Sequence, residues 1–261
     1  MNLPEALARV RRTNPLVLCL TNFVTVNDCA NGLLAVGASP VMSLNGEDAA
    51  ALAEVSGALV LNIGTVTPGF HEAMKLAGNA ARKKGVPAIL DPVGAGATWV
   101  RLSAALELIR SARPMVVRGN ASEILALLQK GGDAQKGVDS SFANDQKTLE
   151  EAASTLAEKL GTVVAVSGET DILAAPGKIT TVTGGSVLLT RLTGMGCLLS
   201  ALTGAFLAAN GEDYFAAARA AHELLKTAGK KAEESLARPG ALGEFKIRLF
   251  DELSLSGVET A

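Results

Sequence analysis

The chain has few of the residues that build disulfide frameworks, metal centres and stacking surfaces. Its 261 residues include three cysteines, two histidines and only 3% aromatic residues. Cys19, Cys29 and Cys197 are far apart and form no Cys-x-x-Cys pair, which excludes a disulfide framework and a structural zinc site. With a net charge of −2 and no dense cluster of Lys and Arg, the chain also lacks the basic patches and stacking platforms of nucleic-acid-binding proteins. We therefore expect no nucleic-acid partner.

Long hydrophobic runs are missing as well. No segment approaches the roughly 18 apolar residues of a membrane span, and the polar, amphipathic residues 1–14 do not fit a secretion signal. We expect no membrane partner and a cytoplasmic location. The content of 48% hydrophobic residues instead predicts a single large domain over residues 1–261, with an aliphatic core.

The chain does contain a regular alternation of short apolar runs and longer helical patterns. Buried strands are predicted at Leu16–Leu20, Val41–Leu44, Leu59–Ile63, Ala88–Leu90, Met115–Val117 and Val163–Val166. Helices are predicted at Val26–Val36, Glu47–Val55, Pro68–Lys84, Trp99–Ser111, Ser122–Lys130, Lys147–Leu160, Tyr214–Leu236 and Gly240–Leu253. Asp171–Ala174 and Ile179–Val182 predict an antiparallel edge hairpin, and the Gly-, Asp- and Ser-rich stretch Gly132–Asp145 predicts a loop. The alternation is typical of an α/β fold whose central sheet is largely parallel and has helices on both faces.

The stretch Thr193–Cys197 places two glycines directly before an apolar run, Leu198–Asn210, that predicts another helix. Glycines let backbone N–H groups approach a ligand closely, and the first turn of a helix offers unpaired donors with a partial positive charge. We therefore expect an anion such as phosphate here, with Cys197 facing it and its thiol pKa lowered by the helix start. The alternative is an ordinary strand-to-helix turn with Cys197 as a small buried hydrophobe.

Small and polar residues also follow several predicted strands, at the edge where open α/β sheets bind ligands. Asp91 and Glu123 lie in two of these clusters and can offer carboxylate oxygens to a hydrated Mg²⁺ shared with substrate phosphates. The alternative for Glu123 is a capping box with Asn120 at a helix start. Neither the dinucleotide fingerprint nor a P-loop occurs. An anion loop, sparse oxygen ligands and Arg118 at a strand end together favour phosphoryl transfer.

These motifs resemble those of the hydroxyethylthiazole kinase family, a branch of the ribokinase-like superfamily. The resemblance is carried by Thr21–Asn27, Ala30–Met42, Asn62–Thr65, Asp91–Gly96, Arg118–Glu123 and Thr193–Cys197. It implies a ribokinase-like fold and ATP-dependent phosphorylation of the hydroxyl of 4-methyl-5-(2-hydroxyethyl)thiazole in thiamin biosynthesis and salvage, with Mg²⁺. It also implies a homotrimer with active sites at subunit interfaces.

On the acceptor side, the resemblance implies that Cys197 is the catalytic residue and that Met42 and Gly194 bind the thiazole. Cys197 stands where most ribokinase-like enzymes carry an Asp that deprotonates the acceptor hydroxyl. A thiol is a weak base toward an alcohol, but a loose transition state depends more on orientation than on basicity. Without the resemblance, Met42 would be an ordinary core methionine.

On the donor side, the resemblance implies that Arg118 contacts the phosphates of ATP and that Ser167 contacts ATP through its hydroxyl. Asp91 and Glu123 match the acidic positions near the metal and would act on it directly or through water.

Two other functions agree with part of the sequence. One is a related kinase for a sugar, a nucleoside or a hydroxymethyl pyridine or pyrimidine; the apolar surroundings of Met42 favour a small flat ring over a sugar. The other is a non-catalytic nucleotide-binding regulator, against which Asp91 and Glu123 argue.

Overall fold

The computed structural model describes residues 1–130 and 145–257. The strands are β1 Leu16–Leu20, β2 Ser39–Val41, β3 Ala58–Asn62, β4 Ala88–Asp91, β5 Val116–Asn120, β6 Val163–Ser167, β7 Asp171–Ala175 and β8 Lys178–Val182. The helices are α1 Leu3–Thr13, α2 Val26–Ala35, α3 Gly46–Val55, α4 Pro68–Lys84, α5 Trp99–Ala112, α6 Ala121–Lys130, α7 Gln146–Leu160, α8 Met195–Ala209, α9 Tyr214–Glu234 and α10 Leu242–Leu255. Within the described ranges, no helix is both long and apolar enough to span a membrane.

The strands form one sheet in the order β2-β1-β3-β4-β5-β6-β7-β8. The six strands from β2 to β6 in this order pair in parallel, whereas β7 pairs antiparallel with both β6 and β8. The β7–β8 hairpin turns at Pro176 and Gly177, and Gly177 takes a left-handed φ of 69°. This geometry confirms the predicted α/β fold with its antiparallel edge hairpin.

Helices cover both faces of the sheet, also as predicted. Because successive strand side chains point to opposite faces, Val17 and Cys19 join a core cluster with α1, α2, α8, α9 and α10. Leu18 and Leu20 join a second cluster with α3 to α7. Burial on both faces explains why these parallel strands have continuous apolar sequences rather than alternating ones.

Helix α8 is largely enclosed within the first core cluster. Eleven of its 15 residues are buried. At Gly204, a Cβ would lie 2.7 Å from Val60 Cγ2 of β3, so the glycine allows the helix to pack close to the sheet. The start of α8 is therefore fixed at the carboxyl ends of the central strands.

Most element boundaries differ from the prediction by one or two residues, and those of β2, β5 and α8 differ by up to three. Strand β2 pairs over Ser39–Val41 rather than Val41–Leu44, because a proline at residue 40 is tolerated in an edge strand while Leu44 is 59% exposed. Helix α8 begins at Met195 instead of Leu198, since Gly194 ends the preceding loop and Gly196 is helical. The predicted loop at Gly132–Asp145 lies, except for Asp145, outside the described residues.

Candidate active site

A buried row of polar side chains crosses the carboxyl ends of three neighbouring strands. Asn22 follows β1, Asn62 ends β3 and Asp91 ends β4. Asn22 Nδ2 donates to Asn62 Oδ1 at 3.0 Å, and Asn62 Nδ2 donates to Asp91 Oδ2 at 2.7 Å. All three side chains belong to residues at most 4% exposed. Because a buried amide without partners is costly, these bonds hold each side chain in one orientation.

The same row reaches the thiol at the start of α8. Asn22 Nδ2 lies 3.1 Å from Cys197 Sγ, and Cys197 is in the first turn of the helix as predicted. The predicted lowering of the thiol pKa is wrong: burial, followed by the charge of Asp91, raises the pKa of Cys197 above its ordinary value. Cys197 is consequently a protonated thiol near neutral pH, suited to orienting a hydroxyl rather than to strong base catalysis.

The two glycines at the start of α8 are required for different reasons. Gly194 is the N-cap and has a left-handed φ of 86°, and a Cβ there would overlap the Cγ2 of Thr25. Gly196 has an ordinary helical backbone, but its Cβ would lie 2.8 Å from Nη1 of Arg118. Since the N-cap carries no capping side chain, the first N–H groups of the helix are left for a ligand.

Asp91 is the carboxylate of this row. Its Oδ2 accepts a hydrogen bond from Ser200 Oγ at 2.8 Å and lies 3.6 Å from Nη1 of Arg118. Burial raises the pKa of Asp91 to about 6, although the Arg118 cation opposes the rise. Its Oδ1 has no hydrogen-bond partner among the described residues. One anchored oxygen and one buried oxygen without a partner fit Mg²⁺, which usually takes one or two protein carboxylates.

Arg118 lies within β5 and is 7% exposed, so it is more enclosed than its predicted position at a strand end suggested. Nη2 donates to Ser167 Oγ, and Ser167 Oγ lies 3.3 Å from the carbonyl of Gly119. The structure thus brings the two residues predicted for ATP binding together. The Nε donor of Arg118 has no partner in the described part of the chain, and a guanidinium with spare donors is suited to phosphate.

Glu123 forms the capping box that the sequence left as an alternative. Glu123 Oε2 accepts from the N–H of Asn120 at 2.8 Å, and Asn120 Oδ1 accepts from the N–H of Glu123 at 3.0 Å. Glu123 Oε1 accepts from the N–H of Gly94 at 2.8 Å, which fixes the loop after β4. Across the described residues, no cluster of three or more His, Cys, Asp or Glu side chains could hold a metal. A metal here would need waters and substrate oxygens as further ligands.

Met42 lies to one side of this arrangement. It follows β2, the outermost parallel strand, and packs half-buried against the same core cluster as Cys197. The structure therefore places Met42 at the β2 edge of the site and outside the hydrogen-bonded row.

One cavity is lined by Arg118 and Ser167, and a second cavity adjoins it along Gly168, Leu189 and Thr190. The first has a volume of about 230 Å³ and is also lined by Gly196 and His222. The second has a volume of about 730 Å³ and is lined by the loops after β6 and β8. Lys226 borders both. Together they provide space for a phosphorylated ligand next to the guanidinium.

Sequence reasoning missed several polar residues of the site. Asn22 and Asn62 lie in two of the segments that carry the resemblance, but the sequence alone assigns them no role, although an Asn near the end of each of two apolar strands is a usable signal. Ser200 was also missed, although it lies four residues after Gly196 and therefore on the same face of α8. The buried group formed by Asp171, His222 and Lys226 gave no local signal.

The sheet order and the site at its carboxyl edge define a protein of ribokinase-like fold. A ribokinase-like superfamily protein from Enterococcus faecalis V583 shares this fold with a TM-score of 0.63 and 13% identity, covering 94% of this chain and 88% of its own. The hydroxyethylthiazole kinase family model matches residues 7–258, and the chain belongs to this family. A hydroxyethylthiazole kinase from a Roseiflexus species is 43% identical over 250 residues, which are 95% of this chain and 90% of the relative. A structure of a hydroxyethylthiazole kinase protein from Pyrococcus horikoshii OT3 superposes with a TM-score of 0.87 and 37% identity, covering 97% of this chain and 92% of its own.

Proposed function

We propose that this chain transfers the γ-phosphoryl group of ATP to the hydroxyl of 4-methyl-5-(2-hydroxyethyl)thiazole, a step in thiamin biosynthesis and salvage. Membership of the hydroxyethylthiazole kinase family supports the reaction. The structural observation that carries the proposal is that the first turn of α8 contains Cys197 and approaches Arg118, whose Nη1 would lie 2.8 Å from a Cβ at Gly196. This turn offers its N–H groups next to an acceptor-facing thiol and a cation.

On the acceptor side, Cys197 and Gly194 contact the thiazole alcohol and Met42 contacts its ring. Asn22 holds the Cys197 thiol at 3.1 Å, which gives the thiol a fixed direction toward a bound hydroxyl. Because the thiol stays protonated, it orients the alcohol and contributes little as a base. Positioning is the larger share of catalysis when little charge develops on the nucleophile before transfer.

On the donor side, Arg118 and Ser167 bind the phosphates of ATP. The guanidinium and the N–H groups of α8 stabilise the charge on the transferred phosphoryl group without having to move. Asp91 and Glu123 would hold Mg²⁺: Asp91 Oδ1 has no hydrogen-bond partner among the described residues, and Glu123 would act through water because both of its oxygens already accept backbone N–H bonds. When bound, Mg²⁺ neutralises phosphate charge.

The protein acts as a homotrimer with its sites at subunit interfaces. Phe23 and Val24, directly after Asn22, are 62% and 63% exposed, and apolar side chains of this size beside a site favour cover by a partner chain. Light scattering after size exclusion tests this: a mass of three chains supports the trimer, and a monomer refutes it.

Residues 1–261 form one kinase domain located in the cytoplasm. The two core clusters on opposite faces of one sheet support the single domain. The three free cysteines agree with a reducing compartment, which cell fractionation with a tagged chain would test.

The deciding experiment is an ADP-release assay with MgATP and hydroxyethylthiazole, ribose, adenosine, pyridoxal or hydroxymethylpyrimidine at equal concentrations. We expect turnover with the thiazole alcohol alone, and omission of Mg²⁺ should abolish it. Turnover with another alcohol, or with none, would refute the substrate assignment while leaving the fold unchanged.

A further inference from the structure

A buried group of three charged or titratable side chains lies next to the proposed nucleotide site and has no part in the reaction above. His222 and Lys226 are four residues apart on α9 and share one helix face. His222 is fully buried, Asp171 at the start of β7 is 3% exposed and Lys226 is 8% exposed. His222 Nδ1 lies 2.8 Å from Asp171 Oδ2, and Lys226 Nζ lies 3.3 Å from Asp171 Oδ1. Ionisable side chains are rarely buried so deeply without a structural or functional reason.

Lys226 connects two loops that are separate in the sequence. Its Nζ donates to the carbonyls of Gly168 at 3.1 Å and Glu169 at 2.8 Å, in the loop after β6. It also donates to the carbonyl of Gly184 at 3.4 Å, in the loop after β8. Asp171 Oδ1 holds the first loop from the other side by accepting from the N–H of Gly168 at 2.9 Å.

These two loops form the walls of the cavity of about 730 Å³, and the first begins at Ser167. Because Gly168 is held through both its N–H and its carbonyl, the preceding Ser167 hydroxyl has a fixed position. This is the hydroxyl that receives the hydrogen bond from Arg118. The contacts thus run from His222 through Asp171 and Lys226 to Gly168, the residue that follows Ser167.

We propose that Lys226, itself held by Asp171 and His222, is a positioning residue for the nucleotide: it joins the loops after β6 and β8 into the cavity that receives ATP. The inference rests on the proposed use of ATP. Lys226 acts through backbone carbonyls and contacts no reacting atom. Filling the core would not require an ammonium group that donates to three loop carbonyls.

The protonation of the imidazole agrees with this role. Burial lowers the pKa of His222, so the ring is neutral near pH 7 and its Nδ1–H donates to the Asp171 carboxylate. Asp171 therefore retains its charge for Lys226 and its acceptor for Gly168. The substitution His222→Asn keeps a side-chain N–H donor toward Asp171, whereas His222→Leu removes it.

The test is calorimetric titration of MgADP into the wild type and into Lys226→Met, Lys230→Met, His222→Asn and His222→Leu. Lys230 is the matched control, because it lies four residues further on α9, its side chain is 63% exposed, and among the described residues its ion-pair partner is Glu234 at 3.8 Å. We expect Lys226→Met and His222→Leu to raise the Kd for ADP by at least about tenfold, the scale of one lost good hydrogen bond. Lys230→Met and His222→Asn should stay within about threefold of the wild type on the same scale.

Circular dichroism verifies that each variant is folded at the titration temperature, and Leu253→Ala, which truncates a fully buried side chain of α10 that lines neither cavity, serves as a destabilised variant. In the folded variants, the KM for ATP should rise with the Kd for ADP, while the KM for the thiazole alcohol should not change. Equal ADP affinity in Lys226→Met and the wild type, or equal weakening in Leu253→Ala, would overturn the inference. If Lys226→Met does not fold, the comparison of His222→Asn with His222→Leu decides.

The titration needs no thiazole, so it separates the two proposals. A wild type that binds ADP but does not phosphorylate the thiazole alcohol refutes the proposed substrate and leaves the role of Lys226 open to the same comparison. A wild type that binds no ADP refutes the nucleotide cavity and the inference with it.

Discussion

Replacing Gly196 by alanine should lower activity without lowering stability. The added Cβ would lie 2.8 Å from Nη1 of Arg118, and ordinary contact begins at 3.4 Å, so the guanidinium must retreat by about 0.6 Å (3.4 − 2.8). Arg118 has little room to move, because its side chain is 8% exposed and is bonded to Ser167. Since a misplacement of about 1 Å can cost roughly 100-fold in rate, we expect kcat/KM for ATP to fall by about 10- to 100-fold, or about 1.4 to 2.7 kcal/mol.

The thermal stability of Gly196→Ala should stay close to that of the wild type. Alanine in a helix is favoured over glycine by up to about 1 kcal/mol, which offsets the cost of moving Arg118. Gly69→Ala is the matched control, because Gly69 is also the second residue of its helix and a Cβ there meets nothing within 4 Å. The assay is coupled ADP release at varied ATP, together with thermal unfolding. Activity of Gly196→Ala within threefold of that of Gly69→Ala would refute the reasoning.

Three further predictions concern the same site. Cys197→Ala should retain measurable turnover in the ADP-release assay, because the protonated thiol orients the alcohol rather than deprotonating it; complete loss with ADP binding intact would contradict this. Arg118→Lys should raise the KM for ATP by about tenfold or more, because an ammonium cannot contact both Ser167 and a phosphate in the forked geometry of a guanidinium; an unchanged KM would count against its phosphate role. The pKa of Asp91 in the folded protein, about 6, exceeds the usual value near 3.9, so the folded protein is more stable when Asp91 is protonated. Its contribution is therefore full at low pH and lost as the pH rises through 6. Urea unfolding in chelator should show the wild type losing up to about 3 kcal/mol relative to Asp91→Asn between pH 4 and 7.5, and parallel pH curves would contradict the assignment.

Much of the fold could be predicted from the sequence, because periodicity and turn residues act locally. The α4 prediction, Pro68–Lys84, matches the structure at both ends. Its boundaries could be predicted because Thr67 caps the first turn and Gly85 takes the left-handed conformation that ends the helix. The β7–β8 hairpin could be predicted from another local signal, its Pro-Gly turn. At β2, by contrast, the predicted span was wrong, because the register of a short edge strand is set by its neighbour β1.

The sequence predicts several of the residues that the structure brings together at the candidate site, but it does not predict their electrostatics. Cys197 and Glu123 stand in recognisable local motifs. The direction of the Cys197 pKa was wrong because burial and the charge of Asp91 come from tertiary packing, which outweighs the helix start. The Asn22 contact to Cys197 joins residues 175 positions apart, and Lys226 reaches Gly168 over 58 positions. No spacing rule connects residues at such separations.

The enclosure of α8 also determines where the protein can acquire new substrates. A helix with eleven of its 15 residues buried can change neither direction nor length without disturbing the sheet beneath it, so the thiol proposed to meet the hydroxyl stands on an element with little freedom to change. The β2 edge is different: Met42 stands on a three-residue outer strand, and Leu44 beyond it is 59% exposed. Libraries aimed at larger or differently shaped alcohols should therefore vary residues 42–46 and leave residues 194–207 intact.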